Sequence, residues 1–307
     1  MLKKKVDKLM GNRFEITVEA DQEKDADFFL DLAVNEIKRI EEKLSTFKAH
    51  SETNLINDNA GKQAVSVSEE TFRLIQRSIK ISEITQGAFD ISYGSIDKRF
   101  WNFDTQMTEL PSKEVAKNLI RLINYKNIIL NEDNFSVLLK EEGMRIGFGG
   151  IGKGYAAESA KKILLENGVK AGIVNASGDL TAFGKPKEIE KWTIGIAHPD
   201  VAHQSFSTME ITDMAVATSG NYEKYVMIDG KKYSHTIDPK TGYPISGIKS
   251  VTIISPNAEI SDAFATPVTI MGIEPGLAMI NQIKGIECII IDDFNKIYTS
   301  KNINLHN

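Results

Sequence analysis

Five glycines fall within the eight residues Gly147-Phe148-Gly149-Gly150-Ile151-Gly152-Lys153-Gly154, between an extended apolar run and a helix-periodic one that reaches Asn167. No other stretch limits the fold as strongly. A glycine-rich turn from strand to helix fits two phosphate-binding patterns, and each can be checked against its neighbours. Gly147 to Gly152 reads G-x-G-x-x-G, the turn of a dinucleotide-binding unit. The acid that such a unit places about 20 residues on is missing, because Asp179 lies too far along and the flanking strands read as hairpins. Gly147 to Lys153 also reads G-x-x-x-x-G-K, the phosphate loop, but Gly154 stands where the Mg²⁺-binding Ser or Thr belongs. Two readings remain. Either the loop offers N–H groups and a positive helix end, with Lys153 beside it, to an anion such as phosphate, or the glycines let the helix pack closely on a sheet.

Around this cluster the chain is patterned as an α/β unit. Residues 13–19 (RFEITVE) alternate as a strand, and Phe29, Ala33, Ile37, Ile40 and Leu44 follow at helical spacing. A second helix is expected from about Glu69 to Thr85, with Phe72, Ile75 and Ile79 on one face, and a third after the N-cap residue Ser112. The polar turn at 131–134 makes a hairpin of NIIL and FSVLLK, whose next strand leads into the glycine cluster, and Gly168 ends the helix beyond it. Then KAGIVNA, WTIGIAH, FSTMEI, KYVMI, KKYSHT and SVTIIS read as short strands, with Asp229-Gly230 a type I′ turn. A helix near 261–272 holds Pro267, which should bend it or sit in its first turn, and a further helix and hairpin close the chain. The expected fold class is α/β (α+β), with mixed, largely antiparallel sheets and packed helices. No repeat or linker divides it, so residues 1–307 read as one domain with two lobes at most.

Charge and hydropathy exclude several functions. With 37 Lys+Arg against 42 Asp+Glu the net charge is −5, which argues against wholesale binding of nucleic acid. No window approaches the roughly 18 apolar residues of a membrane span. The start, MLKKKVDKLMGNRF, is basic but lacks an apolar core, so the expectation is a cytoplasmic chain, or an extracytoplasmic (periplasmic, membrane-anchored) one whose leader has been removed. The single cysteine, Cys288, lies in an apolar run and reads as a buried structural thiol.

Three further constellations carry chemistry. His235 lies at a strand end in Ser234-His235-Thr236-Ile237-Asp238-Pro239-Lys240-Thr241-Gly242-Tyr243-Pro244, whose Pro/Gly turn fixes the backbone, so it is either a working base or a structural histidine. His50, His198, His203 and His306 have no comparable setting. Asp262 and Thr266, four apart on a helix, share one face and offer two hard oxygens to Mg²⁺, unless Asp262 only caps its helix. Gly87-Ala88-Phe89-Asp90 marks a turn with an acid and an aromatic.

Taken in order, the segments LMGNRFEI, LSTF with SETNLIN, TQGAFDIS with FWNF, GFGGIGKGYAAE, VNASGD, ATSGNY, SHTIDPKTGYP and DAFATPVTIMG resemble the ApbE-like FAD:protein FMN transferase family. The resemblance runs from Leu9 to the end of the chain. It implies a T-fold-like flavin transferase architecture and an Mg²⁺-dependent enzyme. Such an enzyme cleaves FAD, attaches FMN by a phosphoester to a Thr or Ser of an acceptor protein, and releases AMP. The implied partners are flavin-bearing subunits or domains of redox complexes, such as sodium-pumping NADH dehydrogenase. Some relatives instead hydrolyse FAD to FMN and AMP, and a flavin binder without turnover is a third reading, which retention of a metal pair and a base opposes.

Carried over residue by residue, the resemblance implies a metal held by the Gly150 carbonyl, Asp262 and Thr266. Met10, Phe47, Ala88, Phe89, Asp90, Lys153 and Ile237 would line the FAD site, and His235 would take the acceptor proton. Phosphoryl transfer needs positioning and charge neutralisation, which suits this set. Phe47 and Phe89 either pack on a flat ring or belong to the core. Three positions depart from the family pattern: Gly147 where Asp is common, Phe47 where Tyr is frequent, and Ala265 where some members have a second acid.

Overall fold

The computed structural model describes residues 1–96, 108–187, 189, 191–197, 205–221 and 225–303. FWNF, Tyr222, His198, His203 and His306 lie outside them. The chain opens with the hairpin β1 (Leu2–Leu9) and β2 (Asn12–Glu19), then helices α1 (Glu23–Leu44) and α2 (Glu52–Asp58). Strand β3 (Val65–Ser66), helix α3 (Glu69–Ile84), a 3-10 turn over Ile91–Ser95 and helix α4 (Lys113–Leu119) lead to the hairpin β4 (Ile128–Asn131) and β5 (Ser136–Leu139). Helix α5 (Gly152–Glu166) follows, then β6 (Gly172–Ala176), β7 (Asp179–Phe183), β8 (Trp192–Ala197), β9 (Ser205–Ile211) and β10 (Met214–Gly220). The hairpin β11 (Tyr225–Ile228) and β12 (Lys231–Ser234) precedes β13 (Ile248–Ser255), α6 (Ala258–Met271), α7 (Ile273–Ile280), β14 (Glu287–Asp292) and β15 (Ile297–Thr299).

Eight strands make one sheet in the order β1-β2-β6-β7-β10-β13-β14-β15. Every pairing among the described strands, in this sheet and the three smaller ones, is antiparallel, so the parallel share allowed for in a mixed sheet is absent among them. Helices α1, α5 and α6 lie side by side on one face, over β1 and β2, β6 and β7, and β10 and β13 respectively. The sequence dictates this: α1 buries Ala26, Leu30, Ala33, Val34, Ile37, Ile40 and Leu44 at helical spacing, and they meet Phe14, Ile16 and Val18 of β2 in the main core. A second core on the opposite face joins Leu180, Ala182, Val216 and Ile254 to Trp192, Ile194 and Ile211 of β8 and β9.

Several expectations are corrected by these elements. Strands β1, β7 and β10 were not anticipated. In β1, Lys3 and Lys5 hide the alternation, yet both reach α1 and pair with Glu23, Asp27 and Asp31. β7 is buried at all five positions, so it shows no polar alternation to read. No strand leads directly into the glycine cluster; residues 144–148 belong to no strand or helix. Helix α6 begins at Ala258, not near 261, because Asn257 caps it by accepting the N–H of Ile260 at 3.2 Å. Pro267 therefore sits in its interior, not its first turn. Asp229 (φ 49°) and Gly230 (φ 73°) do make the expected I′ turn, and Cys288 is buried, which pushes its thiol up to about 12. Among the described residues no helix is long and apolar enough to cross a membrane.

Candidate active site

The glycine cluster meets α6. A Cβ on Gly154 would lie 2.1 Å from the Ala258 carbonyl oxygen and 2.7 Å from Asp262 Cβ, so this position can carry no side chain while α5 and α6 pack as they do. Close packing is thus part of what the glycines do, but against a helix. Three of the amides that the anion expectation counted on are engaged within the protein. Gly154 N–H donates to Asp262 Oδ2 at 2.9 Å, and the Ile151 and Gly152 amides both bond the Phe148 carbonyl, at 3.2 and 2.7 Å. The protein's own carboxylate occupies the positive end of α5. Lys153 likewise pairs with Asp179, which is buried and accepts the Thr218 N–H at 3.3 Å.

Because α6 starts at Ala258, Asp262 stands in its second turn and does not cap its own helix. The carboxylate is 6% exposed, and among the described residues it meets no cation. Its Oδ1 and the Thr266 hydroxyl, one turn on, are likewise uncommitted there. A buried charge balanced by one neutral N–H is costly unless something positive completes it. The donors are hard oxygens, so Asp262 and Thr266 fit a hard divalent cation, with the Gly150 carbonyl in the loop just before α5. Among the described residues no three His, Cys, Asp or Glu side chains converge on one point, so the set holds a single charged ligand. Ala265, where a second acid was sought, is buried and apolar.

The Ala88-Phe89-Asp90 turn closes on the same loop. Gln86 (φ 52°) and Gly87 (φ 82°) turn the chain out of α3, and the Thr85 hydroxyl accepts the Phe89 N–H at 3.0 Å. Ala88 and Phe89 are buried, and a Cβ on Gly150 would meet Phe89 Cε2 at 3.6 Å, so the ring both fills core and backs the loop. Asp90 accepts from the Ser92 N–H (2.8 Å) and hydroxyl (2.6 Å) and from the Tyr125 N–H (2.8 Å). Burial raises its carboxyl above the ordinary value, and those donors hold it down in part. A cavity of about 480 Å³ opens beside it, lined by Gly87, Asp90, Asn124, Tyr125, Pro239 and Lys240 among others.

His235 is exposed, while Thr236 and Ile237 behind it are buried. The expected fixed loop is a hairpin: Ile237 bridges Pro244, Asp238 N–H donates to the Tyr243 carbonyl at 2.9 Å, and Asp238 accepts from the Lys240 N–H and Thr241 hydroxyl at 2.8 and 3.0 Å. Gly242 (φ 73°) docks it on α4, where a Cβ would lie 2.1 Å from the Ala116 carbonyl. Asn221, which sequence reading did not single out, accepts the Ser234 hydroxyl at 2.5 Å, and Ser234 accepts the Thr236 N–H at 3.0 Å.

Met10 (φ 50°) turns β1 into β2, and its Cε would touch a Cβ on Gly152 at 3.7 Å. Phe47 is 97% exposed, which removes it from the core; its neighbour Thr46 stands 3.7 Å from a Cβ on Gly147. Contacts therefore gather Met10, Phe89, Gly150, Lys153 and Asp262 about the start of α5. Asp90 and, in the His235 hairpin, Pro239 and Lys240 line the neighbouring cavity from its two sides. Tyr93, Tyr125, Lys240 and Asp179 were missed as site neighbours; of these, only Asp179 and Lys240 lay in segments the sequence had marked.

The model of the ApbE family matches residues 10–290. An FAD:protein FMN transferase of Klebsiella pneumoniae (strain 342) is 32% identical over 257 residues, covering 83% of this chain and 79% of that protein. An FAD:protein FMN transferase of Vibrio cholerae is 27% identical over 270 residues, with 86% and 80% covered. The crystal structure of the ApbE protein from Thermotoga maritima superposes with a TM-score of 0.86 at 31% identity, covering 98% of this chain and 97% of that one.

Proposed function

The chain belongs to the ApbE family and is a transferase, and from that premise we propose that it moves FMN from FAD to an acceptor protein in an Mg²⁺-dependent reaction that releases AMP. The observation that carries the metal-dependent step is Asp262: a buried carboxylate at the start of α5, one oxygen bonded to Gly154 and no cation partner among the described residues, one helical turn before Thr266. The named activity of the Klebsiella and Vibrio relatives supports FAD as substrate. Asp262, Thr266 and the Gly150 carbonyl would hold Mg²⁺, which would supply charge neutralisation at the pyrophosphate.

The residues of the chain do the rest. Within one domain, FAD lies in the cleft between the α5 start and the His235 hairpin. Met10, Ala88, Phe89, Asp90 and Ile237 shape its walls, Lys153 and Asp179 set the charge beside the loop, and the exposed Phe47 ring flanks the mouth. His235, open to solvent, can meet an acceptor arriving from outside. A ring nitrogen takes the proton of the acceptor Thr or Ser hydroxyl, whose oxygen bonds to the FMN phosphorus as the bond to AMP breaks. The chain has no Asp-Gly-x-Ser/Thr-Gly-Ala-Thr stretch, so the acceptor is another protein, a flavin-bearing subunit or domain of a redox complex. Incubation with FAD, Mg²⁺ and such an acceptor, followed by intact mass and nucleotide chromatography, tests this. An acceptor heavier by FMN with matching AMP supports it; free FMN and AMP with an unmodified acceptor would make the enzyme an FAD pyrophosphatase.

A further inference from the structure

The two walls of the cavity come from distant parts of the chain. Asp90, Asn124 and Tyr125 form one wall, locked together because Asp90 accepts from the Tyr125 N–H and Ser92 accepts from the Asn124 N–H, both at 2.8 Å. Pro239 and Lys240 form the other, as part of the His235 hairpin. Tyr93 crosses between them. It follows Asp90 in the 3-10 turn, packs with Leu119, Val226, Ile228 and Ile237, and its Oη accepts the Ile237 N–H at 3.1 Å. Ile237 is 1% exposed, so no water replaces that acceptor. Burial pushes the Tyr93 phenol up to about 12, so the tether is a neutral hydroxyl across the working pH range.

We propose that Tyr93 is a positioning residue for the transfer reaction: its hydroxyl tethers the backbone two residues beyond His235 to the Asp90 turn, and so fixes how far the base stands from a substrate held on the opposite wall. The inference rests on His235 being the base. The Asn221–Ser234 clamp ties the hairpin to the large sheet, where Asn221 bonds the Ile248 and Lys249 carbonyls, and Gly242 seats it on α4; Tyr93 alone among these contacts ties it to the Asp90 turn on the other wall. Loss of the hydroxyl should leave the hairpin folded and the walls free to part.

The test is Y93F in the full chain. FAD affinity by titration and melting should stay close to wild type, while the rate of acceptor flavinylation falls about tenfold or more, within the ~10²-fold that a misplacement of about an ångström costs. Amide hydrogen exchange in 235–238 should quicken in Y93F while exchange in β11 and β12 does not. A wild-type rate in Y93F overturns the proposal. So does a loss of cooperative melting or a parallel fall in affinity and rate, either of which would make Tyr93 a packing residue. Exchange reads the tether without turnover. A wild-type enzyme inert toward FAD would therefore sink the functional reading, and unchanged exchange at Ile237 in Y93F would sink this one.

Discussion

Two regions meet at the candidate site and are built in opposite ways. At the junction of α5 and α6 the geometry is set by absent atoms: Gly154 lets two helix backbones approach within what any Cβ would obstruct, and the charges there, Asp262 on the helix end and Lys153 on Asp179, are directed at the protein itself. Around the cavity, the Asp90 turn and the His235 hairpin are set by side chains bonding backbone: Asp90 to Tyr125, Ser234 to Thr236, Tyr93 to Ile237. The first region tolerates no added volume, the second no lost polarity. The proposed cation site would need donors held rigidly, and the proposed base would need exposure with a fixed backbone.

Substitution at the glycines sharpens the contrast most. Gly154→Ala should cost more than the ~1–3 kcal/mol of ordinary overpacking, because the obstructing atoms are backbone, and should abolish both the cooperative melt and activity. Gly149→Ala, which meets nothing within 4 Å, should melt as wild type, and equal losses in the two would deny that α5–α6 contact is the reason. Next, Asp262→Ala should end Mg²⁺-dependent turnover with the fold retained, since the set loses its charged ligand, and Thr266→Ala should be milder. Full activity of Asp262→Ala at low Mg²⁺ would reduce Asp262 to a cap for α5.

In the second region, His235→Ala should lower flavinylation by ~10²–10⁴-fold with FAD affinity little changed, because the residue is exposed and is the proposed base. An unchanged rate with weakened FAD binding would assign it to binding and leave the base to be found.

What the sequence could show follows the same division. The His235 turn was legible because Asp, Pro and Gly announce a turn by their own chemistry, and Asp262 and Thr266 because a four-residue spacing names a helix face. The partner of Asp262 was not legible: nothing in the string says that α5 and α6 are neighbours, so nothing in it told that the Gly154 amide bonds the protein's own carboxylate. Phe47 and Phe89 looked alike as aromatics, and burial alone separates them. Strand β1 was hidden because its inward lysines pair with α1 acids, and β7 because both its faces are covered. Tyr93 acts through one hydroxyl on a backbone 144 residues away, a contact that no local pattern encodes.

The smallest expected effect is also the one that gives the two regions opposite signs. Glu70 lies behind α5, where Arg39, Lys43 and the Tyr155 hydroxyl bond it and hold its carboxyl well below the ordinary glutamate value of 4.5. A group depressed in the folded state contributes stability above its unfolded pKa and loses it as pH falls through the folded one. Glu70→Gln should therefore cost about 1–2 kcal/mol near neutrality, and the cost should fade as pH drops below about 4.5. Asp90 is shifted upward by burial, so its contribution is fully present below its ordinary value of 3.8 and is lost as pH rises through the folded pKa. The penalty of Asp90→Asn should then be largest in acid and shrink as pH rises. Urea unfolding of both variants from pH 3 upward reads the two trends. Parallel curves would mean that Asp90 is solvated in the folded protein, and that the cavity wall it anchors is looser than its three hydrogen bonds imply.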